Sequence, residues 1–285
     1  MSRAKNRPPR LEPTASVAPE APPPSREARL ERAKVAGAGA AGPGPTELRR
    51  LLDRMVANDR RALGELAPMP HLTADEAWSA VTATYGADPA APAIDAARTL
   101  EAVRQAATRI HAVGASGGRI AVATARPASL LTLHMAWSRL AAAVGAEVLD
   151  LVDFGPIRAD GRTPRWLRWI GGVAVVSDRH ALCETADGEA AREWIFAVPR
   201  PALVVADGPF AEVAWENGIE VVALAGLDRP GLAVAAAREG RGLVVPMRTD
   251  RPARAYRPVE ELIDDASVGS HADLEATGSG LGDEL

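Results

Sequence analysis

Between residues 118 and 247, short runs of Val, Ile, Leu and Ala alternate with helical patterns of about ten to eighteen residues. This is the rhythm of a parallel sheet whose strands are joined by crossover helices. The expected fold is therefore α/β: a mostly parallel, Rossmann-like sheet with flanking helices, preceded by an N-terminal helical segment. In such sheets ligands sit beyond the carboxyl ends of the strands. Here those ends read Thr124-Ala125-Arg126-Pro127, Ser177-Asp178-Arg179-His180 and Asp207-Gly208-Pro209. They are polar, yet they spell no generic catalytic motif.

The runs place strands at 119–123, 147–152, 165–170, 173–176, 202–206, 219–224 and 243–245, with Gly171-Gly172 marking a hairpin or bent strand. Helices are expected at 127–144, 190–197, 210–216 and 232–238. Upstream, Thr46 can cap a helix carrying Leu48, Leu51, Leu52, Met55, Leu63 and Leu66. Thr73-Ala74-Asp75-Glu76 reads as a capping box opening a helix with Trp78, Val81 and Tyr85. A third helix carries Ile94, Leu100, Val103, Ala107 and Ile110.

Residues 1–45 are rich in Pro, Ala, Arg and Glu, lack aromatics and hold few large apolar side chains. They read as a disordered tail, with a short helix allowed over 26–35. Residues 265–285 read as a second, acidic disordered tail, so the expected folded unit is a single domain over 46–264.

Bulk properties exclude several classes. At 285 residues, 47% hydrophobic and net charge −4, the chain can bury a sizeable core and offers no global attraction to nucleic acid or to an anionic membrane. No apolar run approaches the roughly twenty residues that span a bilayer, and no secretory signal is evident. A lone cysteine, Cys183, makes neither an internal disulfide nor a thiolate metal site. The expectation is a cytoplasmic protein with no nucleic-acid or membrane partner.

Each candidate constellation has an ordinary alternative. The loop with Thr124, Arg126 and Ser129 follows a strand and opens a helix, so its N–H groups and the guanidinium suit a phosphate or carboxylate; otherwise Arg126 is a surface arginine beside an ordinary helix start. Asp207 ends a strand and can serve as acid, base or metal ligand, or merely cap the next helix. His180 can carry protons near neutral pH, or sit in a polar loop beside Asp178. Glu184, Thr185, Asp187 and Glu189 precede a helix whose dipole favours carboxylates, and the same group is compatible with a divalent metal. His134, spaced with Leu130, Leu131 and Trp137, reads as a packed histidine. After a polar loop over 158–163, Arg162, Arg165 and Arg168 interleave with Trp166 and Trp169, which favours hairpin packing over nucleic-acid stacking. Neither Ser129 nor Ser177 sits in a G-x-S-x-G nucleophile elbow, and the loop after the first strand lacks the glycines of a dinucleotide site.

In its order of features over about 49–263, the chain resembles an actinobacterial phosphatase family. The resemblance is clearest in Ala123-Thr124-Ala125-Arg126-Pro127, Leu203-Val204-Val205-Ala206-Asp207 and Gly242-Leu243-Val244-Val245-Pro246. That family's loops read Thr-Gly-His-Pro, His-Thr-His-Ser and Gly-Asp-His-Gly. Thr124, Pro127, Thr185 and Asp207 match them, whereas Arg126, Glu184, Ala186 and Gly208 stand where the histidines would be.

The resemblance implies a hydrolase of a small phosphomonoester whose activity is weakened or lost. Asp207 and His180 are then the catalytic candidates, with Thr124, Arg126, Ser129, Asp178, Glu184 and Thr185 binding a small phosphorylated or anionic molecule. The rival reading is a noncatalytic phospho-ligand sensor or scaffold using the same cleft. A D-glutamate-cyclase-like lyase is a third, suggested by the loop–helix arrangement alone.

Overall fold

The computed structural model describes residues 24–38, 40, 42–151, 154–157, 164–186 and 188–278. Five helices precede the sheet: α1 (Arg26–Arg32), α2 (Pro45–Val56), α3 (Arg60–Leu63), α4 (Ala74–Tyr85) and α5 (Ala96–Ala115). Then follow β1 (Arg119–Thr124), α6 (Pro127–Ala143), β2 (Glu147–Val148), β3 (Phe154–Ile157), β4 (Arg165–Ile170), β5 (Val173–Ser177), β6 (Leu182–Cys183) and α7 (Glu189–Ala197). The second half runs β7 (Leu203–Asp207), α8 (Gly208–Glu216), β8 (Glu220–Ala225), α9 (Gly231–Glu239), β9 (Leu243–Pro246), a 3-10 turn (Ala253–Tyr256) and α10 (Arg257–Gly278).

The strands form one nine-stranded sheet ordered β3-β4-β5-β1-β7-β8-β9, with β2 also on β1 and β6 on β5. Among the described residues five pairings are parallel and three, all on the β3–β6 side, are antiparallel. The α/β class expected from the alternation is what forms. From β1 the chain winds first toward β5 and then returns to β7 on the other side of β1. The winding direction therefore reverses between β1 and β7, the position where open α/β sheets form a crevice beyond the strand ends.

Strands β1, β5 and β7 are buried over nearly their whole length, consistent with continuous apolar runs covered on both faces. Gly171 and Gly172 both take positive φ, +58° and +78°, as a two-residue hairpin turn requires. The Arg/Trp strand is thus the arm of a hairpin with β5, and Arg168 Nε donates to Ser177 Oγ across it at 2.7 Å.

Several boundaries differ from the sequence-based expectation. The strand expected over 147–152 keeps only Glu147–Val148, because β5 takes over the pairing of β1 from Val122 onward. The strand β3 was not anticipated, and the polar loop at 158–163, with Arg162, lies outside the described residues. The long helix expected from Thr46 to Leu66 is broken: α2 starts at Pro45 with no side-chain cap, and Asp59 caps the separate α3. The capping box of Thr73 and Glu76 forms with both reciprocal bonds.

Packing also begins before Thr46. Leu30, Val35, Ala36 and Ala40 are fully buried, and Arg248 N donates to Val35 O at 2.9 Å. The average polarity of residues 1–45 concealed these few apolar side chains, each at an inward position. At the other end, helical backbone continues past Asp264 to Gly278, while Asp264 and Asp265 pair with Arg139 and Arg26. Residues 279–285 lie outside the described residues. Among those described, no helix is long and apolar enough to cross a membrane.

Candidate functional site

The turns after β1, β7, β8 and β9 converge on one cleft. Its inner lobe, of about 180 Å³, is lined by Arg126, Glu184, Thr185, Asp207, Glu212, Asp228, Arg229 and Thr249 among others. An outer lobe of about 470 Å³ shares Arg126, Glu184 and Asp228, and adds Ser129, Arg248 and Asp250. Helix α6 starts at Pro127 and α8 at Gly208, so the partial positive charge of two helix N-termini faces this region.

Asp207 is 1% exposed and occupies the position before α8, yet it makes no side-chain cap bond there. Its Oδ1 instead accepts from Ala125 N at 3.1 Å, tying the β7 end to the β1 loop, while Oδ2 has no hydrogen-bond partner. Capping therefore does not explain this aspartate. The following Gly208 has φ +53°, and a Cβ there would lie 3.3 Å from the Ala125 Cβ. A glycine lets the strand turn into α8 while the two loops stay close.

The β1 loop is held internally. Thr124 is buried, and its Oγ1 accepts from Arg126 N at 3.1 Å. Ala125 O accepts from Thr185 N at 3.0 Å, which anchors the 184–186 segment beside the loop. Arg126 hydrogen-bonds Thr249 Oγ1 and reaches Asp228 Oδ2 at 3.4 Å. The loops that supply those partners are pinned by two buried tyrosines. Tyr85 OH donates to Gly226 O at 3.2 Å, and Tyr256 OH donates to Arg248 O at 2.9 Å while accepting from Arg251 N.

The structure thus brings Arg126, Glu184, Thr185 and Asp207 together around the inner lobe, with Ser129 in the outer one. Thr124 lies beneath the loop and lines neither lobe. Asp178 and His180 are also elsewhere, on the turn between β5 and β6, where His180 is exposed. Asp178 Oδ1 accepts from the backbone N–H of His180 and of Ala181, each at 2.7 Å. Those two donors hold its carboxyl below the usual carboxylate range.

Four polar residues of the inner lobe escaped the sequence reading: Glu212, Asp228, Arg229 and Thr249. Glu212 lies inside α8 at 6% exposure, with Oε2 accepting from Glu65 N at 2.9 Å and Oε1 3.6 Å from Arg229. Burial pushes its carboxyl up, against the opposing pull of Arg229. Its sequence signal is a single carboxylate in the otherwise apolar Phe210-Ala211-Glu212-Val213-Ala214.

His134 is packed, as its helical spacing implied, but it packs against the site. Its Nδ1 lies 3.0 Å from Leu130 O, a carbonyl that can only accept, so Nδ1 carries the proton. Nε2 stands 3.6 Å from Asp207 Oδ1. Burial lowers the imidazole pKa although Asp207 pulls the other way. Burial thus disfavours the charged form of the ring beside Asp207.

Among the described residues, no three His, Cys, Asp or Glu side chains gather as a metal site. The two buried carboxylates are already engaged, Asp207 by a backbone N–H and Glu212 by a backbone N–H and a guanidinium.

The chain is 27% identical over 168 residues to a protein of Streptomyces coelicolor named Phosphatase SCO2771, a match covering 57% of this chain and 61% of that protein. The Phosphatase family profile matches residues 26–270. That span starts with α1 and includes every strand and every cleft-lining residue described above, and the chain belongs to the Phosphatase family.

Proposed function

We propose that the cleft binds a small phosphomonoester and that its hydrolysis is weak or lost. The observation that carries this reading is the shared cleft of Arg126 and Asp207, at the ends of β1 and β7, beside the starts of α6 and α8. A guanidinium and helix N-terminal N–H groups bind phosphate oxygens without any proton transfer. Hydrolysis asks for more. A water must be deprotonated as it attacks phosphorus, and the leaving alkoxide must be protonated.

Asp207 is the group placed to take the water proton, which makes the protein a phosphoric monoester hydrolase if it turns over. Among the described residues, no histidine lines either lobe to return a proton to the leaving group. Loss of a positioned proton carrier typically costs about 10²–10⁴ in rate, while ground-state binding survives on fixed donors. His180, on its exposed turn, would have to move into the cleft to serve that role.

The same absence favours a second reading, a noncatalytic sensor or scaffold that holds a phospho-ligand unchanged. The single Cys183 and the lack of any long apolar helix among the described residues fit a cytoplasmic setting for either. A phosphomonoester panel separates the two. Each compound is incubated with the purified full chain, with and without divalent metals, while phosphate release and thermal unfolding are both followed. Raised melting temperatures with slow or no release are expected. Fast release abolished by His180→Ala and untouched by Arg126→Ala would overturn the assignment.

A further inference from the structure

Carboxylates outnumber guanidiniums around the inner lobe. Four carboxylates line it, Glu184, Asp207, Glu212 and Asp228, against two guanidiniums, Arg126 and Arg229. Both cations are already opposed: Arg126 stands 3.4 Å from Asp228, and Arg229 stands 3.6 Å from Glu212. The outer lobe does not reverse the balance, because its added Arg248 pairs with Asp250 and Glu47 contributes another carboxylate. Asp207 is left without an arginine or lysine among these contacts, and burial disfavours a charged His134 beside it. Its Oδ2 is a buried acceptor with no donor, an arrangement that costs free energy unless something donates to it.

From this balance we propose that the ligand is an aminoalkyl phosphomonoester, carrying an ammonium group as well as its phosphate. The proposal rests on the phosphomonoester reading above and specifies the ligand's other end. The phosphate is taken by Arg126 and the helix starts, and the ammonium answers the carboxylate surplus headed by Asp207. A dianionic phosphate arriving alone would add charge of the sign already in excess, whereas an internal ammonium offsets part of it. The roughly 180 Å³ of the inner lobe suits a compound of this small size. A divalent cation accompanying the phosphate would serve the same electrostatic end, but no three-donor cluster among the described residues holds one.

Calorimetric titration of the full chain with phosphoethanolamine and with propyl phosphate tests this directly. The two share size and phosphate, and the second replaces the ammonium by a methyl group. Each is titrated in EDTA and again with Mg²⁺. In EDTA, phosphoethanolamine should bind at least about tenfold more tightly, the scale of one added charge-assisted hydrogen bond. Asp207→Asn should shrink that preference to about threefold or less, and Arg126→Ala should weaken both ligands together.

Equal affinities for the two compounds would overturn the ammonium while leaving the phosphomonoester reading intact. So would propyl phosphate matching phosphoethanolamine once Mg²⁺ is present. Binding of neither compound would remove both readings. If Asp207→Asn does not fold, the affinity ratio in the unsubstituted chain decides by itself.

Discussion

Replacing Arg126 by alanine isolates the anion grip. In the structure this side chain bridges Thr249 and Asp228 across the mouth of the inner lobe, at 24% exposure. A hydrogen bond to a charged group contributes about 1.5–3 kcal/mol, so losing it should weaken phosphate binding about 10- to 150-fold. The cost to folding is smaller. The Asp228 partner is 52% exposed, so the ion pair is screened and worth about 0–1 kcal/mol. Thr249, 5% exposed, loses one neighbour at about 1 kcal/mol. A melting decrease of a few degrees is the expected ceiling, at about 2–4 °C per kcal/mol for large domains.

Arg126→Lys should fall between parent and alanine variant, since it keeps the charge and loses the planar fork. His180→Ala, on a turn away from the cleft, should leave affinity within about twofold, the ±0.5 kcal/mol range of ordinary surface changes. The assay is calorimetric titration with phenyl phosphate at fixed ionic strength, with melting curves run in parallel. Affinity within about threefold of the parent in a well-folded Arg126→Ala protein, a change under 1 kcal/mol, would refute the argument that this guanidinium carries the anion.

Three further outcomes follow from the packing. Burial raises the Glu212 carboxyl above its unfolded value, so its stabilising contribution is full below that unfolded value and lost as pH rises through the folded one. Glu212→Gln should therefore gain on the parent in melting temperature as pH increases from acid toward neutral, and a constant difference across that range would contradict the raised carboxyl. Phe210 is fully buried and meets Trp194 edge to face at 5.3 Å, so Phe210→Ala should cost about 3–5 kcal/mol in urea denaturation. A chain starting at Thr46 loses the buried Leu30 and Val35, together worth about 3–6 kcal/mol, whereas one starting at Pro24 keeps them; equal melting of the two would show that α1 adds nothing.

Much of this architecture was legible because burial leaves a simple trace in sequence. β7 and β8 are covered on both faces and read as unbroken Val, Leu and Ala, and the box at Thr73 and Glu76 is a local pairing that needs no tertiary information. A short helix was allowed where α1 forms, but its packing onto the domain was not foreseen, for the opposite reason. Its surroundings are polar on average, and only the partners of Leu30 and Val35, contributed from far along the chain, make those positions inward. The short β2 was overextended because its length depends on where β5 joins β1, a competition between strands that no local run records.

The candidate site shows the same division in finer detail. Arg126 and Asp207 were found because each ends an apolar strand, and the reversal of winding beside β1 then places them on one cleft. Asp228 and Thr249 follow β8 and β9 in the same way, so the strand-end argument applied to every strand would have reached them; following only three strand ends passed over both. Glu212 is different, since it lies inside a helix and its neighbours Glu65 and Arg229 belong to other elements. A buried carboxylate of this kind is marked only by its misfit with the apolar residues around it. The lobe's electrostatics belongs to this last category: each acid taken singly reads as a cap or a surface charge, and the surplus over arginine exists only once four turns have been folded against one another. Charge balance is therefore the property of this cleft most distant from any motif, and it is the one on which ligand selection should depend most.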